Sequence, residues 1–441
     1  MGAALNMFLA FMVLAGSALP LFLISLQTIP LALSAVAVAA LLAQTLMQKP
    51  PLWMPAAAAS LVWVGALAVY VASSGQLRRS ALVVLVAASV VLACLALAGS
   101  WGSLGLVSRT LLVMLLVILA GASAFGAAVW IVPNVLASRW AAANVTGARE
   151  TAEVRADGTT QITDVGYGSR YPNGYLDVYL AKNAGSDAPT LVYVHGGGYV
   201  FGDKLFGDPM GNANGGFYVY LERYLEAGYN IVSINYAHPP MYTYPVPVVQ
   251  LTEAMKYMVE EGASKWGIDM YNVSFACGSA GGNITGMFVL AQVDSDYAGR
   301  TGIPQVLAPE DIRSVAFNCA VLDNARMGRT EDRNPVMDYG GDACVRSYLG
   351  VAWPDEADEA FAESNVIANV TSAMPPCYID DGTRYTYGDQ AKELAARLEE
   401  LGVEHELHIF EGEPHSFDTT DSAATRESLD LQIAFMDRFA R

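Results

Sequence analysis

Long apolar stretches separated by short polar breaks fill the first part of the chain. Each is long enough, at about 1.5 Å of helical rise per residue, to cross a hydrocarbon layer roughly 30 Å thick. The breaks contain Pro, Gly and Arg, with Trp53 and Trp101 at the expected membrane interfaces. The pattern predicts an all-α transmembrane domain over residues 1–133 with about five spans. The stretches cover residues 5–26, 29–47, 53–73, 80–99 and 109–132.

The second part of the chain has a different periodicity, in which short apolar strands alternate with helices. Strand-like runs include "TLVYV", "NVSFAC", "PPCYID" and "EHELHIF". This alternation is typical of a mostly parallel sheet with helices on both faces. We therefore expect an α/β domain over residues 160–441, joined to the membrane domain by a linker over residues 134–159. The predicted helices cover residues 216–227, 246–262, 282–293, 388–401 and 422–440.

Charge divides the chain at the same place. The first 149 residues contain six basic residues and no acidic ones, whereas the whole chain has a net charge of −18. The C-terminal domain is therefore strongly acidic, which argues against nucleic acid as a partner because phosphates select basic surfaces. The predicted spans contain no internal Asp, Glu, Lys or His, the residues that mark transport pathways, so an anchor in contact with membrane lipids is favoured over a pump.

The placement of the basic residues also bears on location. With five spans, the excess of Arg on one side predicts a multi-pass protein of the cell membrane whose C-terminal domain is cytoplasmic, and one span more or fewer reverses this orientation. The cysteines form no CxxC pair and no metal-type spacing, so we expect buried thiols and no metal site. They are Cys94, Cys277, Cys319, Cys344 and Cys377.

Three segments that follow predicted strands carry residues suited to acyl transfer. They are "HGGGYVFGDK" at 195–204, "CGSAGG" at 277–282 and "EGEPHSF" at 411–417. Since working residues collect at the carboxyl ends of parallel strands, these segments are expected to meet. Small residues around Ser279 indicate a tight turn that presents one hydroxyl. An imidazole would take its proton, and glycine N–H groups would stabilise an oxyanion.

Elimination selects the histidine. His195 opens the glycine tract, where a structural role is expected, and His238 lies in a Pro-rich turn. His405 and His408 lie within or beside a predicted strand. His415 follows the end of that strand in a loop, where its ring is free to point into a site.

These motifs resemble a known family. "HGGGYVFGD", "NYAHPPMYTYPVP", "CGSAGG" and "GEPHSF" are similar, in order and spacing, to α/β-hydrolases of the hormone-sensitive-lipase and carboxylesterase type. The resemblance covers roughly residues 160–441. It implies an α/β-hydrolase fold, carboxylic ester substrates and no cofactor. It also implies a site formed by nucleophile Ser279, general base His415, and oxyanion donors at the backbone N–H groups of Gly197, Gly198 and Ala280.

The sequence departs from the family pattern in three places. Cys277 replaces the first glycine of G-x-S-x-G, and "YAHPPM" lacks an acidic residue that the family often has there. Tyr385 occupies the position matched to the acid of the catalytic triad. Asp381, at the end of strand "PPCYID", is our first candidate for that acid, because a strand-end carboxylate could reach the imidazole.

Other assignments remain open for the acid and for the function. The alternatives to Asp381 are Asp380, Asp389 as a helix cap, Asp323 as a turn residue, or a Ser–His dyad with no acid. The sequence predicts a membrane-anchored serine esterase or lipase-like enzyme that cleaves small-molecule or lipid esters. A degenerate hydrolase fold used for binding, and an acyltransferase to a sugar or lipid, are the alternatives.

Overall fold

The computed structural model describes residues 58–66, 88, 91, 144–182, 184–205, 207, 216–351 and 358–440. Contacts between Cα atoms divide the chain into two compact units, Met1–Val132 and Pro133–Arg441. In the first unit residues 58–66 are helical. The five predicted spans lie almost entirely outside the described residues. Within the described part of the chain, no helix has both the length and the apolar character needed to cross a bilayer.

Among its described residues, the second unit is built on a sheet of nine strands with the order β1-β2-β3-β5-β4-β6-β7-β8-β9. The pairs β1–β2, β2–β3 and β3–β5 are antiparallel, and every pair from β5 to β9 is parallel. The mostly parallel α/β class is therefore confirmed. The strands are β1 Thr151–Val154, β2 Thr160–Gly166, β3 Tyr175–Leu180, β4 Thr190–Val194, β5 Asn230–Ile234, β6 Val273–Gly278, β7 Ile312–Asn318, β8 Cys377–Asp381 and β9 His405–Ile409.

Helices connect the parallel strands and cover both faces of the sheet. The helix predicted over 388–401 has those bounds in the structure, and the one predicted over 246–262 continues past α2 as a π-helical turn, Met258–Gly262. The α-helices are α1 Gly216–Glu226, α2 Val246–Tyr257, α3 Ala263–Trp266, α4 Ala280–Val293, α5 Ser295–Thr301, α6 Pro335–Leu349, α7 Asp358–Ser364, α8 Val366–Asn369, α9 Gly388–Leu401 and α10 Ala423–Asp437.

The central strand β4 shows why helices are needed on both faces. Val192 and Val194 belong to a core cluster that includes residues of α2 and α4. Leu191 and Tyr193, which point to the opposite face, belong to a second cluster with residues of α1 and α10. Because alternate side chains of a strand face opposite ways, a strand that is apolar throughout must be buried on both sides.

Two elements lie where the sequence pattern did not predict them. Strand β1 lies within the segment 134–159, expected to be a linker, and all four of its residues are exposed, so it has no apolar alternation. Helix α6 contains Gly340 and Gly341, which weaken the helical signal. A Cβ at Gly341 would lie 2.1 Å from the carbonyl oxygen of Met327, so close packing requires glycine there.

Candidate active site

The register of the sheet brings the motif-bearing loops to one edge. Val194, the last residue of β4, pairs with Cys277 of β6. Further along, Gly278 pairs with Asn318, and Asn318 pairs with Asp380. The glycine tract and the serine turn therefore leave the sheet side by side at the carboxyl ends of the parallel strands, where ligand sites form in such folds.

The turn that carries Ser279 is tight, because the two glycines that follow it have no room for a side chain. Ser279 has φ +50°, an uncommon conformation for a residue other than glycine. A Cβ at Gly281 would lie 2.3 Å from the carbonyl oxygen of Val194, and one at Gly282 would lie 2.5 Å from Cβ of Ala320. The small residues thus let β6 turn into α4 directly beside the loop that follows β4.

Cys277 fits this turn because its side chain points into the core. It is fully buried, and its thiol donates to the carbonyl oxygen of Ala316 at 3.1 Å. Burial raises the pKa of the thiol well above its usual range, so it stays protonated at neutral pH. The position that holds the first glycine in the family pattern is therefore filled by a buried, protonated thiol.

Ser279 and His415 lie within hydrogen-bonding distance. The Oγ atom of Ser279 is 2.8 Å from Nε2 of His415, and the serine is only 4% exposed. Desolvation by the surrounding protein lowers the pKa of His415 to about 4, so the imidazole is neutral at pH 7. A neutral ring whose Nε2 faces a hydroxyl can accept its proton, which is the arrangement needed for nucleophilic catalysis.

Asp381 reaches His415 through a third residue. Its Oδ1 atom accepts from the backbone N–H of Gly382 at 2.7 Å and from the hydroxyl of Thr386. The same Thr386 Oγ1 atom lies 3.1 Å from Nδ1 of His415. Burial raises the pKa of Asp381 to about 7, although the bonds from Thr386 and Gly382 oppose the rise. The sequence analysis did not identify Thr386. The only feature of the sequence that points to it is its hydroxyl, which comes directly after Tyr385, the position matched to the missing acid.

Two of the alternative acid candidates have other partners. Asp380 is buried on the opposite side of β8, where it accepts hydrogen bonds from Ser428 and Asn318. Asp323 accepts from the backbone N–H of Ala325 and from Arg326 at 2.8 Å, so it fixes a turn.

The fourth candidate, and the residue at the family's usual acid position, also have other partners. Asp389 does not cap the helix as expected: the N-cap of α9 is Tyr387, and Asp389 lies inside the first turn, 3.5 Å from Arg326. The phenol of Tyr385 accepts a hydrogen bond from Arg384 at 2.8 Å, and its backbone N–H donates to Asp332 at 3.0 Å.

The glycine tract is held by its flanking residues. His195 is fully buried, with Nε2 3.1 Å from Oδ1 of Asn235 and its ring stacked on Tyr236. Gly197 and Gly198 have positive φ values of 91° and 56°. A Cβ at Gly197 would lie 2.1 Å from the carbonyl oxygen of Phe201, which explains the need for glycine. His195 is thus part of the scaffold of the loop.

The backbone N–H of Ala280 is the third donor that the resemblance implied. Ala280 is the first residue of α4, and the first N–H groups of a helix have no partner within the helix. Gly281, the next residue, packs against the carbonyl oxygens of Val194 and His195. The N-terminus of α4 therefore lies against the start of the glycine tract, as a shared oxyanion site requires.

Similarity to known proteins agrees with this geometry. A carboxylesterase, NlhH, from Mycobacterium tuberculosis is 31% identical over 235 residues, which are 52% of this chain and 66% of the relative. Esterase LipI from the same species is 30% identical over 211 residues, or 45% of this chain and 59% of the relative. The chain thus spans slightly less than two thirds of these relatives.

Solved structures show the same fold. Esterase B from Lactobacillus rhamnosis matches with a TM-score of 0.53 at 18% identity, over 65% of this chain and 89% of the esterase. Esterase LipW from Mycobacterium marinum matches with a TM-score of 0.51 at 23% identity, over 64% and 83%. The sequence model of the alpha/beta hydrolase fold matches residues 191–419, more than half of the chain. The chain belongs to this alpha/beta hydrolase family.

Proposed function

We propose that the chain is a serine hydrolase that cleaves carboxylic esters. The observation that carries this proposal is the 2.8 Å contact between Ser279 Oγ and His415 Nε2, at a turn where Ser279 has φ +50°. The carboxylesterase and esterase names of its relatives support the same reaction class. A formed nucleophile–base pair also favours catalysis over a binding role, since binding alone does not require it.

The reaction follows from the positions of these groups. His415 Nε2 takes the hydroxyl proton of Ser279 while Oγ attacks the ester carbonyl carbon. Backbone N–H groups of Gly197, Gly198 and Ala280 stabilise the resulting oxyanion. The imidazolium then protonates the departing alkoxide, which leaves an acyl group on Ser279. Water, deprotonated by His415, attacks this acyl-enzyme and releases the carboxylic acid.

The substrate is a small-molecule or lipid ester. The relatives are named as a carboxylesterase and an esterase, which supports a carboxylic ester as the substrate class. The apolar, acid-free character of the first 133 residues supports a multi-span anchor that places the hydrolase domain, residues 160–441, against membrane lipids. Fractionation tests the anchor: the full chain should stay with membranes after alkaline carbonate washing, and release by that wash would contradict it.

Labelling with a fluorophosphonate tests the nucleophile. An activated serine forms an O–P bond and expels fluoride, while the histidine takes the hydroxyl proton. We expect the full chain to label, Ser279→Ala to lose the label, and Ser264→Ala to label like the parent. Ser264 is a suitable control because it is an exposed serine whose hydroxyl donates to the carbonyl oxygen of Glu261.

The remaining outcomes decide between the alternatives. A chain that neither labels nor hydrolyses p-nitrophenyl esters is a binding module, and labelling that survives Ser279→Ala places the nucleophile elsewhere. Product analysis in the presence of an added alcohol separates a hydrolase, which releases free acid, from an acyltransferase, which forms the new ester.

A further inference from the structure

The hydroxyl of Thr386 lies between two groups that a catalytic triad would join directly. Thr386 is 1% exposed, and its Oγ1 atom contacts both Asp381 Oδ1 and, at 3.1 Å, His415 Nδ1. A threonine hydroxyl has one proton to donate and lone pairs to accept with. It can therefore serve both neighbours only if it donates to one and accepts from the other.

The direction of these bonds decides which tautomer His415 adopts. When Asp381 is ionised it can only accept, so Thr386 donates to Asp381 and must accept from His415. His415 then carries its proton on Nδ1, and Nε2 has a free lone pair facing the hydroxyl of Ser279. This is the tautomer that can act as a base toward the serine.

We propose that Thr386 is a positioning residue that links Asp381 to His415 and holds the imidazole in its active tautomer. The proposal rests on the proposed function, and it extends that function by making the third member of the triad a Thr–Asp pair. The carboxylate acts through a neutral hydroxyl, which also fixes the plane of the ring.

Backbone contacts hold the two loops in the register that this link needs. The N–H groups of Thr383 and Arg384 both donate to the carbonyl oxygen of Glu413, at 3.0 and 3.1 Å. The N–H of His415 donates in return to the carbonyl oxygen of Arg384 at 3.0 Å. These bonds tie the Thr386 segment to the His415 loop, so the backbone holds the side chains of Thr386 and His415 in position to contact each other.

If Thr386 bonded only to Asp381, its role would be purely structural. Substitution separates that role from the positioning of the His415 imidazole. Thr386→Val keeps the shape and removes the hydroxyl, whereas Thr386→Ser keeps the hydroxyl. For the full chain in detergent, we expect Thr386→Val to lower kcat for ester hydrolysis on the order of 100-fold with KM nearly unchanged. Thr386→Ser should recover most of this loss. The rate of fluorophosphonate labelling should follow kcat.

A second substitution tests the link itself. Asp381→Asn retains the size of the side chain but can donate to Thr386 and so favour the inactive tautomer. Because Thr386 and Asp381 act in series, the variant that carries both Thr386→Val and Asp381→Asn should have nearly the same kcat as the less active of the two single variants. Thr252→Val is the control, since the Thr252 hydroxyl is buried and donates within α2 to the carbonyl oxygen of Val248 at 2.9 Å.

Several results would overturn the proposal. These are a folded Thr386→Val with parental kcat, equal losses in the serine and valine variants, or losses in the double variant that multiply. If Thr386→Val does not fold, Thr386→Ala, which also removes the hydroxyl, takes its place in the single and double variants. A parent that fails to label with fluorophosphonate refutes the proposed function, whereas normal labelling of the parent and of Thr386→Val refutes only the role of Thr386.

Discussion

Gly382 packs directly against the backbone of Glu413, so that a Cβ at position 382 would lie 2.1 Å from the Glu413 carbonyl oxygen. The same oxygen accepts the N–H groups of Thr383 and Arg384. This close approach joins the segment that follows β8 to the loop that carries His415. The geometry of the imidazole therefore depends on a glycine that does not touch the ring.

Substitution of this glycine should affect both catalysis and stability. We expect Gly382→Ala to push the loops apart, to lower kcat at least about tenfold, and to lower the free energy of unfolding by about 1–3 kcal/mol. Ester hydrolysis and thermal denaturation measure the two effects. Gly299→Ala is the matched control because a Cβ there meets nothing within 4 Å. It should leave kcat unchanged and, since Gly299 lies inside α5, raise the free energy of unfolding by about 0.5–1 kcal/mol. Parental activity in Gly382→Ala would show that the loops can separate without harm.

The pH dependence of kcat/KM should report Asp381 rather than His415. The pKa of His415 is lowered to about 4, so the ring is neutral above about pH 5 and contributes no loss near its usual pKa. The pKa of Asp381 is raised to about 7, so lowering the pH through 7 protonates this carboxyl. Protonated Asp381 can donate to Thr386, which then donates to Nδ1 and leaves the proton of His415 on Nε2.

We therefore expect kcat/KM to rise with pH through about 7, where it should be half-maximal, and to level off roughly one pH unit higher. Besides burial and Thr386, the pKa of Asp381 is lowered by the backbone N–H of Gly382, raised by the charge of Asp380 on the same strand, and lowered by Cys319 after β7. Asp381→Asn should remove the rise near pH 7 and leave a lower activity that is constant above about pH 5. A profile in which the same rise persists in Asp381→Asn would assign it to another group.

Cys277 gives a prediction that runs against the family pattern. Restoring the usual residue with Cys277→Gly should not raise activity, because the thiol already fits the turn. It should instead lower the free energy of unfolding by about 1–2 kcal/mol, through loss of a buried side chain and its bond to Ala316. Thermal denaturation and kcat per folded molecule measure this. A gain in kcat would mean that the cysteine crowds the turn.

The serine turn could be predicted from sequence because its constraint is local. A strand can turn directly into a helix only where the neighbouring side chains are small, so the composition of residues 277–282, around Ser279, reveals the turn. The choice of His415 as the general base could also be predicted, by elimination among five histidines. The link through Thr386 could not be predicted, because it depends on backbone bonds between segments about thirty residues apart. Nor did the pattern reveal β1, since an exposed edge strand has no apolar face.

The glycine tract and the serine turn share one buried hydrogen-bond network, which is the basis for the last prediction. Tyr199, which follows the tract with φ +68°, donates to Oδ1 of Asn324 at 2.5 Å. The amide of Asn324 donates to Oδ1 of Asn283 in α4 at 2.9 Å. The proposed donors for the oxyanion come from the start of the tract and the start of α4, so we infer that this network fixes their spacing.

Tyr199→Phe should therefore lower kcat on the order of tenfold with little change in KM, since the donors matter most in the transition state. Tyr348→Phe is the matched control. Its ring stacks on Tyr199 at a centroid distance of 3.8 Å, and its hydroxyl has no hydrogen-bond partner among the described residues. Removing that hydroxyl keeps the stack and should leave kcat unchanged. Parental kcat in Tyr199→Phe would mean that the aromatic stack, which both variants keep, and not the bond to Asn324, holds the glycine tract in place.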